Sequence, residues 1–326
     1  MPSDRRWAPA RPTFAGRVAE YVASMFPPLV QVPTGVIIVL AVHAGLQGLA
    51  GTAPIRVGAR VVAAAATTVL LMLLLRVQDE LKDLGTDAAL AAAGDPRFRD
   101  RPAVTGRITA ADLARLRRVL IAVLVAVNLP LGAVPLAAFA AALIVTLLSG
   151  RWFFHPAIAG DLVLAFWTHN PIGLLYATYT AAVFVQDFGV ARLSPGAPVL
   201  LVALWLPVAA WEIARKIRAP EEETAYETWS ARLGWRTAAT VPPLLCVGAA
   251  AGLAYVGRAS GLGPAYPAAL GAAVLLVAGA SLRFLRAPSP RTSRLRPYVE
   301  VFAAVGSGGL VLALALARGV GWLDAP

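Results

Sequence analysis

The chain has 326 residues, of which 58% are hydrophobic and only 14% charged, and its mean hydropathy is +0.69. That composition excludes an ordinary soluble domain of this size, and the single cysteine, Cys246, excludes a disulfide within the chain. The formal charge of +11 would suit a nucleic-acid partner, but the basic residues alternate between loops instead of forming one patch.

Residues 1–26 are polar and basic with scattered aromatics, and they lack the apolar core of a cleavable signal peptide. Phe14, Val18, Tyr21, Val22 and Met25 share one side of a helix there, which predicts an interfacial amphipathic segment. Nine apolar runs then recur, at 27–49, 58–76, 117–133, 134–150, 157–184, 196–214, 236–256, 264–284 and 297–317. Each suits a hydrocarbon core of roughly 30 Å. Asn128-Leu-Pro-Leu-Gly132 is barely a turn, so the spans on either side of it are expected to be antiparallel neighbours. Cys246 lies in an apolar span and reads as an inert buried thiol, while His43 shows no partner and reads as structural.

The expectation is an all-α membrane protein, with residues 27–320 forming one bundle of about nine transmembrane helices under a cytoplasmic cap. With the N-terminus inside, the segment 1–26, the loops after spans two, four, six and eight, and their flanks hold 24 of the 29 basic residues. The opposite side holds only Arg56, Arg60, Arg192, Arg258 and Arg318. This bias predicts a cell-membrane protein with a cytoplasmic N-terminus and cytoplasmic polar loops. Most polar sequence lies in two of those loops, within 76–116 and 211–235, with a smaller basic one at 285–296. The larger two follow spans two and six, a spacing that suggests a duplicated half with an acidic motif in each.

The first loop opens with Asp79, Asp83 and Asp87 at four-residue intervals. On a helix such residues share a face, where three carboxylates repel one another unless a cation sits among them. A hard divalent ion such as Mg2+ takes oxygen ligands and commonly completes its shell with substrate phosphates. The bland alternative is a solvated juxtamembrane face. Downstream comes Arg101-Pro-Ala-Val-Thr-Gly-Arg-Ile-Thr109.

This order resembles the UbiA superfamily of intramembrane prenyltransferases, whose first motif reads Asn-Asp-x-x-Asp-x-x-x-Asp. Asp79 falls at the Asn position, and Glu80, Asp83 and Asp87 fall at the three Asp positions. The resemblance implies that Asp79, Glu80, Asp83 and Asp87 bind Mg2+, which grips the diphosphate of a prenyl donor, with Lys82, Arg101 and Arg107 as phosphate contacts. It also implies a second acidic motif, Asp-x-x-x-Asp, at the end of span six. Here Glu212 and Lys216 have that spacing, so one ligand has become an ammonium that can meet diphosphate, as can Arg215, but cannot hold a metal. A second ion there needs Glu221, Glu222 or Glu223 to fold back. The alternative is a basic helix end with Arg215 and Lys216 as membrane anchors. Tyr226 to Gly234 resembles the family's Ser-x-x-x-Leu-Gly stretch, and Arg151, entering span five, stands where the family carries Lys-Arg-Phe-Thr, as a phosphate contact or, alternatively, a topology anchor.

Span five contains Trp167-Thr-His-Asn-Pro171. His169 and Asn170 are polar at membrane depth, which is costly unless they are paired or line a cavity. They are candidates for the acceptor end of a pocket, or for an interhelical hydrogen bond at a kink. Trp167, Tyr176 and Tyr179 offer ring faces to an allylic cation, or serve packing. The reading that follows is a Mg2+-dependent prenyltransferase with a prenyl diphosphate donor, a hydrophobic acceptor of aromatic or quinone type, and catalytic residues Asp79, Asp83, Asp87 and Lys216. The alternatives are a terpene cyclase on the same frame and a non-catalytic lipid-binding or transport protein. Nothing in the pattern calls for nucleic acid or an obligate protein partner.

Overall fold

The structure, a computed structural model, describes residues 13–150, 161–224 and 227–323. Its first helix, α1 (Phe14–Met25), starts where the Thr13 hydroxyl accepts a hydrogen bond from the Gly16 amide. The apolar side of α1 is turned onto the protein: Tyr21 is fully buried, and Val18, Val22 and Met25 pack on the same core. Next come α2 (Pro28–Leu49), a short strand β1 (Ile55–Gly58) and α3 (Ala59–Ala92). The last of these runs far past the apolar stretch, so the acidic residues expected on a loop sit on a helical extension. The loop proper begins at Ala93, carries the one-turn α4 (Pro96–Arg99), and ends at α5 (Ala110–Asn128).

Among the described residues, six helical segments are long and apolar enough to cross a membrane: α2, α3, α9 (Ala197–Ala214), α11 (Trp235–Ala259), α12 (Ala265–Arg286) and Arg296–Arg318. The other three expected spans take different forms. The helix α5 carries Arg115, Arg117 and Arg118 in its first half. Its neighbour α6 (Ala133–Ser149) is apolar but has 17 residues. The expected span 157–184 is broken into α7 (Leu162–His169) and α8 (Ile172–Phe188), because Pro171 cannot donate to the helical ladder and disfavours helix at Asn170. A short α10 (Trp229–Leu233) precedes α11. The last span is α13 (Arg296–Ala303), a π-turn at Ala304–Gly308, and α14 (Gly309–Arg318), with the Tyr266 hydroxyl donating to the Gly306 carbonyl at 2.8 Å.

Two cores divide the bundle. One joins α1, α2, α3, α5, α6 and α8 around Leu71, Leu74, Leu124 and Tyr179, and the other joins α7, α9, α11, α12 and α13 around Val277, Phe284 and Phe302. A third cluster, with Leu46, Phe184, Leu200 and Leu314, joins the halves. The perimeter is apolar: Leu29 is 92% exposed, Leu316 78% and Leu275 73%, the inverse of a soluble protein and the surface a bilayer covers. Turn chemistry fixes α5 against α6. Leu129–Leu131 is a single 3-10 turn, and Gly132 has φ +108°, where a Cβ would come within 2.6 Å of the Gln186 side chain.

At the end away from the acidic motif, β1 pairs in parallel with β2 (Val320–Leu323), and Arg318 donates to the carbonyls of Thr52 and Ser260 at 2.8 and 2.6 Å. His43 is a correction to the sequence reading. It has partners: Gln47 lies 3.0 Å from Nδ1, and Asp187, which Arg60 holds at 2.9 Å, lies 3.7 Å from Nε2. The chain is a multi-pass, all-α membrane protein with one small parallel strand pair.

Candidate active site

One turn of α3 separates two kinds of carboxylate. Asp79 and Asp83 stay about 40% exposed, with the Lys82 ammonium between them at 3.3 and 3.9 Å. Glu80 is rotated about 100° from Asp79 around the helix, since each residue advances one 3.6th of a turn. It is buried in an ion pair with Arg76, with its Oε1 lacking a hydrogen-bond partner, and Tyr21 of α1 lies against the pair. Asp87 is also buried, in an ion pair with Arg101, whose guanidinium lies over the Phe98 ring at 4.3 Å. Of the four expected ligands, the structure therefore leaves two facing open space. Among the described residues no three His, Cys, Asp or Glu side chains gather as a metal cage.

The segment after the motif is ordered by its own polar groups and by α1. Asp95 caps α4 and accepts from both the Arg97 amide and guanidinium, and the guanidinium holds its carboxyl down at about 2. Arg107 donates to Glu20 at 2.9 Å, to Thr105 at 2.9 Å and to the Asp100 carbonyl, so it binds the loop to α1. Thr109 and Asp112 form a reciprocal capping box, and Arg17 closes on Asp112 with two bonds of 2.9 and 2.6 Å. The hydrogen bond from Arg17, joined by those from Thr109, holds the Asp112 carboxyl well below the usual carboxylate range.

The second motif presents cations. Arg215 grips Glu212 at 2.6 and 2.8 Å, and Lys216 lies 3.2 Å from the same carboxylate. Glu222 and Glu223 do not turn back to Glu212. Glu222 accepts from the Ala219 amide and the Ser293 hydroxyl, and Glu223 accepts from Thr228. The two loops touch where Arg97 donates to Thr224 at 3.3 Å. Gly234, with φ +78°, separates α10 from α11 at the expected Leu-Gly. Tyr226 and Arg151 lie outside the described residues.

Span five contributes unequally. His169 Nδ1 is within 2.8 Å of the Thr168 hydroxyl and 3.0 Å of the Ala165 carbonyl. Asn170 Oδ1 is buried without a hydrogen-bond partner, while its carbonyl accepts from Trp205 at 3.2 Å. Tyr176 is buried with its hydroxyl 3.0 Å from Thr146. Tyr179 donates to Asn128 at 2.6 Å, and Asn128 donates to Thr67 at 2.9 Å, a tie inside the core. Trp167 is 61% exposed on the perimeter, apart from the others. Tyr176 and Tyr179 are thus tied into the core by their hydroxyls, His169 bonds back to its own helix turn, and Trp167 faces outward. Sequence reasoning passed over Arg17, Glu20 and Arg76; the one available signal was the Thr109-x-x-Asp112 capping pattern.

This geometry can be set beside known structures. The chain is similar to the apo structure of a UbiA homolog from Aeropyrum pernix K1, with a TM-score of 0.59 and 18% identity over 86% of this chain and 97% of that one. The fold is that of the UbiA homolog. A second similarity is to a digeranylgeranylglyceryl phosphate synthase studied in membranes, with a TM-score of 0.53 and 14% identity over 87% of this chain and 98% of that one. No family model matches the sequence, and no curated protein does. At these identities the shared property is the UbiA fold.

Proposed function

We propose that this chain is a UbiA-type intramembrane prenyltransferase that takes a prenyl diphosphate at its cytoplasmic end and passes the prenyl group to an apolar acceptor. The observation that carries this reading is the exposed Asp79 and Asp83 pair straddling Lys82, on the helical extension of a chain with the UbiA fold. Two carboxylates fit Mg2+ as it is usually bound, through one or two acidic side chains plus substrate phosphates and water. Asp79 and Asp83 would hold the ion, and its charge would stabilise the departing diphosphate. Glu80 and Asp87, each spent on an arginine, position the helix.

The cationic second motif supplies the rest of the diphosphate site. Lys216 and Arg215 meet phosphate oxygens directly, and Glu212 keeps both side chains in place. Breaking the allylic C–O bond sends its electron pair to diphosphate; the acceptor then bonds to the allylic carbon and loses a proton. The buried, unpaired Asn170 Oδ1 and the His169 ring would bind a polar group on the acceptor.

Membranes carrying the protein are incubated with labelled prenyl diphosphates and Mg2+, with and without quinone-type or phenolic acceptors. Labelled acceptor and Mg2+-dependent diphosphate release are expected. A cyclic hydrocarbon or terpene alcohol formed without acceptor would replace this reading with a terpene cyclase. Ligand movement that persists in Asp83→Ala without diphosphate release would replace it with a carrier.

A further inference from the structure

A groove of about 380 Å3 runs between α3, α5 and α6, lined by Gln78, Arg117, Arg118, Ile121, Ile144 and Leu148. Its floor is fixed. Gln78 is 3% exposed, donates weakly to the Leu147 carbonyl at 3.5 Å, and fills the space above Gly150, where a Cβ would come within 2.7 Å of it. Its two ends differ in chemistry. At the cytoplasmic end stand two guanidinium groups: Arg117 has one contact, 3.4 Å to Gln78 Oε1, and Arg118 has no ion pair or side-chain hydrogen bond among the described residues. Toward the membrane interior the wall is apolar and open outward, with Ile144 56% and Leu148 44% exposed.

We infer that this groove binds an anionic glycerophospholipid of the cytoplasmic leaflet, with its phosphodiester on Arg117 and Arg118 and an acyl chain along Ile121, Ile144 and Leu148. Two guanidinium groups with no carboxylate partner among the described residues favour an anion at this apolar boundary, and a phosphate with a covalent tail is the anion that a bilayer presents there. Continuity of the apolar wall with the charged end distinguishes a lipid from a free phosphate. Among the described residues no Asp or Glu lines the groove, so no carboxylate balances the ammonium of a zwitterionic head group. The inference does not depend on the proposed reaction.

The purified protein is titrated in detergent with phosphatidylglycerol or phosphatidylcholine, with binding read by native mass spectrometry and by thermal shift. Phosphatidylglycerol is expected to bind at least about tenfold more tightly. Each arginine accounts for roughly a fivefold preference, so Arg118→Gln reduces it by about that factor and the Arg117→Gln, Arg118→Gln pair abolishes it. Ile144→Trp, at an exposed position, should block the tail and weaken both lipids. Equal binding of the two lipids, or an unchanged preference in Arg118→Gln, overturns the proposal. So does displacement of phosphatidylglycerol by millimolar inorganic phosphate, which would make the groove a site for the free anion.

Discussion

Glu20 of α1 accepts a hydrogen bond from Arg107 at 2.9 Å, across 87 residues of sequence. With Arg17 on Asp112 and Tyr21 against Arg76 and Glu80, this makes α1 a clamp over the first motif. The two ion pairs differ in worth. Glu20 and Arg107 are both more than 40% exposed, so their pair contributes at most about 1 kcal/mol. Arg17 meets Asp112 with two bonds, and the same carboxylate caps α5. Hydrogen exchange of the α1 amides is therefore expected to rise about tenfold in Arg17→Ala and less than about fivefold in Glu20→Ala. Equal effects would show that the capping box does not transmit the contact.

The same pair predicts an acid response. The Asp112 carboxyl titrates below its unfolded value, so its contribution is fully present above about pH 4. It is lost as pH falls through the depressed folded value, and Asp95, at about 2, adds to the same loss. Thermal unfolding in detergent, followed by tryptophan fluorescence between pH 6 and pH 2.5, should show a midpoint that falls below about pH 4. In Asp112→Asn that part of the fall should vanish; a fall of full size in the variant would assign the acid loss to other carboxylates.

The carboxylates of α3 divide into two experimental classes. Asp79→Asn and Asp83→Asn, at partly exposed positions, should leave stability within about 0.5 kcal/mol and lower the rate of diphosphate release at least about 100-fold. Glu80→Gln removes the charge that Arg76 pairs with in the interior and should cost about 1–3 kcal/mol of stability. Activity and unfolding measured on the same preparations separate the classes, and a destabilised Asp83→Asn of normal activity would contradict the division.

What was legible in the sequence follows from which forces are local. Long apolar runs and alternating basic loops report burial in lipid directly, so the class of the fold and most span positions could be read. The sequence reading assigns the aspartates to a loop, although their four-residue spacing suits the helical extension of α3 on which they sit. The spacing could not say which side of that helix faces the protein, because Glu80 and Asp87 are turned inward by Arg76, Arg101 and the packing of α1. Arg107 was read as a phosphate ligand because its partner Glu20 is remote in sequence, and remote ion pairs leave no periodic trace. The break at Asn170–Pro171 was foreshadowed by Pro171, whereas the pairing of β1 with β2 joins segments with no shared pattern.

Lys216 decides how the second motif works. If it binds donor phosphate directly, Lys216→Ala removes a charge-assisted contact worth about 1.5–3 kcal/mol, and KM for the prenyl diphosphate rises tenfold or more. Glu212 remains held by its two bonds to Arg215, so the fold and the thermal midpoint should change little. If Lys216 only anchors α9 at the membrane surface, KM stays put and Lys216→Arg is as good as wild type. A further substitution at this position bears on metal count. Lys216→Asp puts a carboxylate beside Glu212, and a steeper dependence of rate on Mg2+ concentration in that variant would mean that the lysine stands in for a second ion. An unchanged dependence, with the KM defect of Lys216→Ala retained, is the outcome expected from a site where Arg215 already occupies the Glu212 carboxylate.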